Sequence, residues 1–324
     1  MDLLPEDLLN YILCLTTNKI LDLCLVSKYF STNCKKMRIL SNQYYPSLND
    51  KRIKELVNLT ALNLRNNDTI TNRGMSKLLN LTYLDLSCNN LITNQGISKL
   101  TNLITLKLCS NHQITNRAIA ICKNLTELDI SLNCMITNID KLENLISLNL
   151  YGNLGLYDIA INNLTSLNLQ SNQVITDDKI THLTNLLSLN LSRNGLITSE
   201  GISTLTNLTF LDLSYNKRVN DDGVLSLVNL QSLNLNNNIG ITSQGISALY
   251  NLTSLNLSSN LNINDSGIMK LKKLTTLDLS KNSIITDKGI RKLTRLTSLN
   301  LSNNNKITKA GTKYLTRLNK IYCF

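Results

Sequence analysis

The side chains that most often carry out chemistry in proteins are few and scattered in this chain of 324 residues. Its two histidines, His112 and His182, have no nucleophile at a fixed spacing, and no glycine loop, metal-ligand spacing or catalytic triad occurs. Cys88 and Cys109 could approach each other, but no histidine or further cysteine lies beside them to complete a zinc site. The sequence therefore predicts a protein that is not an enzyme by itself and that uses no cofactor or metal.

Cysteine usage and hydropathy indicate the compartment. The eight cysteines are scattered rather than clustered, which favours free thiols in a reducing compartment. No apolar run reaches the roughly eighteen residues that a membrane span needs, and residues 1–7 lack the basic region of a signal peptide. We expect an intracellular protein, in the cytoplasm or the nucleus.

A repeat of 22 residues must position any functional side chain in this sequence. The stretch Leu208–Asn229 reads LTFLDLSYNKRVNDDGVLSLVN, and its skeleton is L-x-x-L-x-L-x-x-N, a β-branched residue, Thr/Asn-x-x-Gly-Ile/Val and a last leucine. Full repeats begin at Leu59, Leu81, Leu103, Leu125, Leu145, Leu164, Leu186, Leu208, Leu230, Leu252, Leu274 and Leu296. The repeats at Leu125 and Leu145 are shorter, with 20 and 19 residues, and lack the Gly-Ile step, so we expect a tight turn there in place of a helix.

Each repeat changes its periodicity halfway. The L-x-x-L-x-L part alternates with a period near two and predicts a short strand, whereas Thr-x-x-Gly-Ile-x-x-Leu has helical spacing. Threonines stand where a helix N-cap is expected, at Thr71, Thr198, Thr242 and Thr286. Because helices are wider than strands, the stack should bend, with parallel β-strands on the concave face and short convex helices.

This pattern resembles the leucine-rich-repeat family, and its 22-residue period is also similar to that of internalin-like proteins. The resemblance implies an α/β leucine-rich-repeat solenoid. The asparagine at the ninth position of every repeat, such as Asn67, Asn89, Asn282 and Asn304, should satisfy backbone groups of the turn that ends each strand. The recurring glycines, for example Gly74 and Gly223, are predicted to be the small residue before each helix rather than a phosphate-binding loop.

The outward positions of the strands are the candidate binding surface. We call the third, fifth, seventh and eighth positions of the repeats the strand face. Most of these positions carry Ser, Thr, Asn or Asp, and the exceptions that stand out are Tyr83, Lys107, Glu127, Leu132, Tyr151, Arg193, Phe210 and Tyr215. Aromatic residues and arginine often anchor protein interfaces, so these side chains are predicted to contact a protein partner. The alternative is that they are drift on a repetitive surface.

The net charge of +11 is concentrated near one end. Between residues 270 and 320 there are thirteen Lys and Arg but only two acidic residues, Asp278 and Asp287. Lys273, Arg295 and Arg317 occupy the last position of three consecutive repeats, and we call these three residues the basic edge. Such a column could attract phosphate or an acidic partner. Because no aromatic stacking platform accompanies it, nucleic-acid binding is less favoured than a solvated helix surface.

The segment before the repeats has a different pattern. Residues 3–30 combine a Leu-Pro start, leucines and isoleucine at helical spacing, an Asp-Leu pair, and Val-Ser-Lys-Tyr-Phe at the end. This segment resembles an F-box, although its loop after the first helix is one residue short and Phe30 stands where tryptophan is common. The residues that the resemblance would assign to docking are Leu4, Pro5, Leu8, Ile12, Leu13, Leu23, Val26 and Phe30. The alternative is that this segment only caps the apolar end of the repeats.

The sequence thus divides into an F-box-like helical segment at 1–36, a transition half-repeat at 37–58, twelve repeats at 59–317 and a partial repeat at 318–324. The resemblance to F-box/leucine-rich-repeat proteins implies a non-catalytic substrate-recognition adaptor of a cullin–RING ubiquitin ligase. The F-box would dock the Skp-type linker, and the strand face would bind a protein substrate. The alternative is a plain leucine-rich-repeat interaction scaffold.

Overall fold

The computed structural model describes residues 39–41 and 48–322. The F-box-like segment and its docking residues, Leu4, Pro5, Leu8, Ile12, Leu13, Leu23, Val26 and Phe30, lie outside the described residues. The chain forms two compact units, of which the first ends at Asn149 and the second begins at Leu150. None of the helices in the described residues is long and apolar enough to cross a membrane.

Within residues 39–41 and 48–149, the first unit contains six short strands, each pairing in parallel with the next along the chain. They are β1 (Ile39–Ser41), β2 (Ala61–Asn63), β3 (Tyr83–Asp85), β4 (Thr105–Lys107), β5 (Glu127–Asp129) and β6 (Ser147–Asn149). Single helical turns follow the first four strands: α1 (Asp50–Ile53), α2 (Asn72–Met75), α3 (Asn94–Ile97) and α4 (Asn116–Ile119). The predicted transition half-repeat therefore contributes a strand as well as a helix.

The second unit repeats this plan with eight parallel strands. They are β7 (Ser166–Asn168), β8 (Ser188–Asn190), β9 (Phe210–Asp212), β10 (Ser232–Asn234), β11 (Ser254–Asn256), β12 (Thr276–Asp278), β13 (Ser298–Asn300) and β14 (Lys320–Tyr322). A 3₁₀ turn (Asp177–Lys179) is followed by α5 (Ser199–Ile202), α6 (Asp221–Val224), α7 (Ser243–Ile246), α8 (Asp265–Ile268), α9 (Asp287–Ile290) and α10 (Lys309–Thr312). The predicted alternation of parallel strands and short helices is confirmed.

The core of each unit is a stack of leucines and isoleucines. In the repeat that starts at Leu208, the buried side chains are Leu208, Leu211, Leu213, Val219, Val224 and Leu227. Each such side chain contributes about 1.5–3 kcal/mol when it is withdrawn from water. A single repeat would leave these side chains exposed on the sides that face its neighbours, so the adjacent repeats complete their burial.

The ninth-position asparagines connect the repeats, as the sequence predicts. The Asn216 amide group donates to the carbonyls of Leu191 (3.4 Å) and Asn194 (3.2 Å) in the preceding repeat. Its side-chain oxygen accepts from the backbone N–H groups of Arg218 (2.9 Å) and Val219 (3.0 Å). Asn216 is fully buried, so these four bonds satisfy backbone groups beside a side chain that water cannot reach.

The helical turns are joined by a second set of bonds. The predicted N-caps are confirmed, because the hydroxyls of Thr71, Thr198, Thr242 and Thr286 each accept a backbone N–H of the following turn. The carboxylate of Asp221 in turn accepts both the N–H (2.7 Å) and the hydroxyl (2.5 Å) of Thr242 in the next repeat. This arrangement links the first helical residue of one repeat to the cap of the next.

The glycines have a different place from the predicted one. Gly74 and Gly245 lie inside helical turns, at the third residue, rather than before them. A methyl group on Gly245 would overlap the carboxylate of Asp221, which accepts hydrogen bonds from Thr242, the N-cap of the turn that contains Gly245. Glycine is thus required there by the close approach of the preceding repeat, and the prediction that these glycines are structural is confirmed.

The shortened repeats lack a helical turn, as predicted. In the first unit no helix occurs between β5 and β6, and in the second none occurs between Leu150 and β7, all within the described chain. Beside α4, the missing turn leaves an open hollow of about 460 Å³. The hollow is lined by Ala120, Lys123, Asp140, Lys141, Glu143 and Asn144.

Candidate protein-binding face

The turn that ends each strand has an unusual backbone conformation at the eighth position of the repeat. The eighth residue of all twelve repeats has a positive φ, between 50° and 56°. In the repeat of Leu208, the N–H of Asn216 donates to the carbonyl of Leu213 (3.1 Å), which closes a four-residue turn with Tyr215 as its third residue. A positive φ at that position favours glycine or asparagine. Serine and asparagine are frequent there, and Gly152 occupies it once.

Three predicted binding residues occupy this left-handed position. They are Leu132 (φ 51°), Arg193 (φ 54°) and Tyr215 (φ 56°). Bulky side chains are rare in this conformation, and the left-handed region costs an ordinary residue about 1–2 kcal/mol. These residues therefore reduce stability at positions where asparagine would fit, which is typical of side chains retained for a function.

Arg193 and Tyr215 are in contact on the second unit, and Phe210 lies on the strand face of the same unit. The guanidinium carbon of Arg193 lies 4.6 Å from the centre of the Tyr215 ring, a cation–π arrangement. Phe210 lies on β9 between Ser188 and Ser232 of the neighbouring strands, and 37% of it is exposed. We call these three residues the Arg193 cluster. Its aromatic and guanidinium groups present a large contact area between small polar side chains.

A second cluster lies on the first unit and consists of Tyr83, Lys107 and Glu127. The Lys107 ammonium lies 5.7 Å from the centre of the Tyr83 ring and 3.8 Å from a Glu127 carboxylate oxygen. The hydroxyl of Thr105 also donates to Glu127 (3.3 Å). Partial burial raises the pKa of the Tyr83 phenol above its ordinary value. We call this group the Tyr83 cluster.

Lys107 also departs from a structural rule of the strand face. At the fifth position an Asn or Asp side chain usually accepts the N–H of the seventh residue, as Asp212 does from Ser214 (2.8 Å) and Asn234 from Asn236 (3.1 Å). A lysine has no acceptor for this bond. Sequence reasoning identified Lys107 only as a charged exception. The fifth position carries Asn or Asp in all the other repeats, and this recurrence was the signal in the sequence for the side-chain hydrogen bond that Lys107 cannot make.

The remaining predicted residues lie on the same face of their own units. Tyr151, at a seventh position of the second unit, is 37% exposed. Leu132 on the first unit is 45% exposed. The face thus carries two clusters and two further apolar side chains that water does not favour.

The basic edge interrupts another interaction between repeats. At the last position of earlier repeats, asparagine amides donate to the preceding repeat, as Asn229 does to Thr206 (3.0 Å) and Asn251 to Val228 (2.9 Å). In the next repeat the ammonium of Lys273 donates to the Asn251 side chain instead (2.7 Å). Arg295 and Arg317 follow at the same position and are exposed.

The residues considered for catalysis are not brought together. His112 is exposed, while His182 has its Nε2 at 3.1 Å from the carbonyl of Ile159. Cys88 and Cys109 are neighbours through a backbone bond, in which the Cys88 N–H donates to the Cys109 carbonyl (2.8 Å). Within residues 39–41 and 48–322, no three His, Cys, Asp or Glu side chains are placed to share a metal ion.

Comparisons with known proteins agree with this architecture. Models of the leucine-rich repeat match residues 56–79, 77–101, 122–139, 160–178, 182–205, 204–228 and 251–272, and a model of two repeat copies matches 272–312. No curated protein matches the chain in sequence.

Solved structures with the same fold come from bacteria and from yeast. A leucine-rich-repeat protein of Leptospira interrogans is 31% identical, with a TM-score of 0.64 over 83% of this chain and 74% of its own. An internalin of Listeria monocytogenes is 28% identical, with a TM-score of 0.65 over 86% and 84%. The Rad7–Elc1 complex of yeast has a TM-score of 0.59 over 97% and 91%, at 20% identity.

The architecture and these matches define a repeat protein whose exposed faces serve for interaction. The chain belongs to the leucine-rich-repeat family. Repeats of this family generally form non-catalytic scaffolds for protein–protein interaction, and no enzyme family matches the sequence.

Proposed function

We propose that this protein is a substrate-recognition adaptor of a cullin–RING ubiquitin ligase. In this proposal residues 1–36 dock the Skp-type linker, and the strand face holds a protein substrate for ubiquitin transfer by other subunits. The chain would then supply positioning alone, since effective concentration rather than a titratable group brings substrate and ubiquitin together.

The observation that carries the proposal is the F-box-like pattern directly before a repeat array. The Leu4–Pro5 start, the Asp22–Leu23 pair and the ending at Phe30 occur in the order that the F-box family uses. The yeast structure that matches over 97% of this chain is a complex of two proteins, Rad7 and Elc1, which is consistent with a partner-binding role.

The strand face supplies the second half of the proposed role. Tyr, Phe and Arg are the side chains that most often dominate interface energies. The Arg193 cluster and the Tyr83 cluster hold such residues on exposed strand positions, and Arg193 and Tyr215 do so in a costly backbone conformation. A substrate that covers these rings would gain the free energy of withdrawing them from water.

The linker-binding half is tested by capture of a purified Skp-type linker on the immobilised full-length protein. We expect retention at about one linker per chain, and a loss of at least about tenfold in affinity for the double variant Leu4→Ala/Pro5→Ala. Lys19→Ala, in the same segment but outside the docking set, is the matched control and should bind normally. If the full-length protein does not retain the linker, or if the double variant binds as well as the control, the adaptor role is wrong.

The second candidate is a plain interaction scaffold without a ligase role. It is favoured by the bacterial relatives, which include an internalin and match more than four fifths of this chain in structure. A scaffold would leave the linker unbound while the strand face still captured its partner. The two candidates therefore differ in the linker experiment and agree on the strand face.

A further inference from the structure

The last three repeats carry positive charge that the fold does not neutralise. Asp287, one of the two acidic residues between 270 and 320, accepts the N–H (2.7 Å) and the hydroxyl (2.6 Å) of Thr308. Asp278, the other one, accepts from Ser280 and Asn300. Lys107 and Lys179 form ion pairs in the described part of the chain, but none of the thirteen cations of this region does. These cations repel one another across an exposed surface.

The basic edge replaces side chains that have a structural task in other repeats. Asn207, Asn229 and Asn251 each donate an amide hydrogen to a carbonyl of the preceding repeat. Lys273 keeps only a contact with the Asn251 side chain, and Arg295 and Arg317 make no side-chain bond within the described part of the chain. Replacing Asn by Lys or Arg therefore adds little to the stability of the fold. It does place one cation in each of three successive repeats.

The spacing and surroundings of the basic edge indicate the kind of partner. Parallel strands are about 4.8 Å apart, so the three cations recur at intervals of that order, comparable with the side chains of an extended peptide. Single-stranded nucleic acid is normally held by aromatic rings on which bases stack. The ring of Tyr314 in this region already faces the ammonium of Lys313, at 5.8 Å. With two exposed tyrosines, Tyr314 and Tyr322, against thirteen Lys and Arg, this region offers much more charge than aromatic surface for stacking bases.

We propose that the basic edge, with the lysines and arginines around it, binds an acidic segment of a protein partner. This contact is separate from linker docking and from the strand face. Carboxylates of the segment would pair with Lys273, Arg295 and Arg317, and the bidentate geometry of the two arginines would fix its register. The field of the remaining cations would accelerate association.

The test uses a fluorescent dodecaglutamate peptide as the probe and dodecathymidylate as the nucleic-acid comparison. The edge variant is Lys273→Asn/Arg295→Asn/Arg317→Asn, which restores the residue that the earlier repeats use and should therefore keep the fold. The matched control, Lys77→Asn/Lys99→Asn/Lys123→Asn, removes the same charge from the helical side of the first unit. Circular dichroism verifies that both variants remain folded.

We expect the edge variant to bind the peptide at least about tenfold more weakly than the unaltered protein. The control should bind within about threefold of the unaltered protein, because charges close to the bound peptide, rather than the total charge of the protein, determine the affinity. Added salt should weaken peptide binding, and dodecathymidylate should bind more weakly than the peptide. The proposal is overturned if the folded edge variant and the control bind the peptide equally, if the unaltered protein does not bind it, or if dodecathymidylate binds more tightly than the peptide. None of these outcomes depends on linker capture.

Discussion

Two rows of side chains run side by side along each unit, one from the ninth and one from the eighth residue of every repeat. The ninth residue is always asparagine, and Asn216 is buried with four hydrogen bonds to the backbone. The eighth residue varies from glycine to tyrosine, is left-handed throughout, and in Tyr215 is 45% exposed. The adjacent rows show that the repeat separates the residues that hold the fold from those free to recognise a partner.

The largest expected effect is the loss of a ninth-position asparagine. Asn216→Ala leaves four backbone groups of a buried turn without their partners, and each uncompensated group costs about 1–3 kcal/mol. We expect the free energy of unfolding to fall by at least about 3 kcal/mol, measured by urea denaturation. Asn305→Ala, at an exposed position, is the control and should change it by less than about 0.5 kcal/mol. A loss as small as that of the control would show that the asparagines do not join the repeats.

A smaller effect is expected at the glycines inside the helical turns. The added methyl group of Gly245→Ala would displace the Asp221 carboxylate from the Thr242 cap, at a net cost of about 1–2 kcal/mol. Gly195→Ala is the matched control, since its methyl would meet only the Gln173 side chain at 3.4 Å. Thermal denaturation of the two variants compares them directly. Equal melting temperatures would mean that the Asp–Thr bonds do not constrain the turn.

The smallest effect has the opposite sign. Tyr215→Asn relieves a bulky side chain at φ 56° but removes the stack with Arg193, so we expect stability to rise by about 0.5–1 kcal/mol. Asn237→Tyr, the reverse exchange at the same position of the next repeat, should lower it by a similar amount. Urea denaturation of both variants checks the pair. If Tyr215→Asn destabilises the protein, Tyr215 belongs with the structural residues and not with the binding face.

Much of the fold could be predicted because the repeat makes the pattern redundant. Leucines at fixed spacing, the ninth-position asparagine and the threonine caps recur so often that their roles follow from periodicity alone. The positive φ at the eighth position was missed, since it is a backbone property shared by residues as different as Ser110 and Tyr215. The bond between Asp221 and Thr242 was missed as well, because its partners lie 21 residues apart in different repeats.

The candidate site could be predicted only as a set of exceptions. The sequence identified Arg193 and Tyr215 separately, and their stacking depends on how side chains of adjacent repeats turn toward each other. It also identified Tyr83, Lys107 and Glu127, but not the contacts of Lys107 with Tyr83 and Glu127 or the bond from Thr105 to Glu127. Side-chain geometry between repeats, rather than residue type, decides which exceptions form a cluster.

We expect the strand face to hold the protein substrate and the exposed tyrosines outside it to contribute little to that contact. The most direct test is quantitative mass spectrometry of proteins retained from a native cell extract by Tyr151→Ala/Phe210→Ala/Tyr215→Ala. The matched control is Tyr157→Ala/Tyr250→Ala/Tyr314→Ala, which removes three exposed tyrosines from outside the strand face of the same unit. We expect the strand-face variant to retain at least about tenfold less of the partner than the control does. Equal retention by the two folded variants would contradict it.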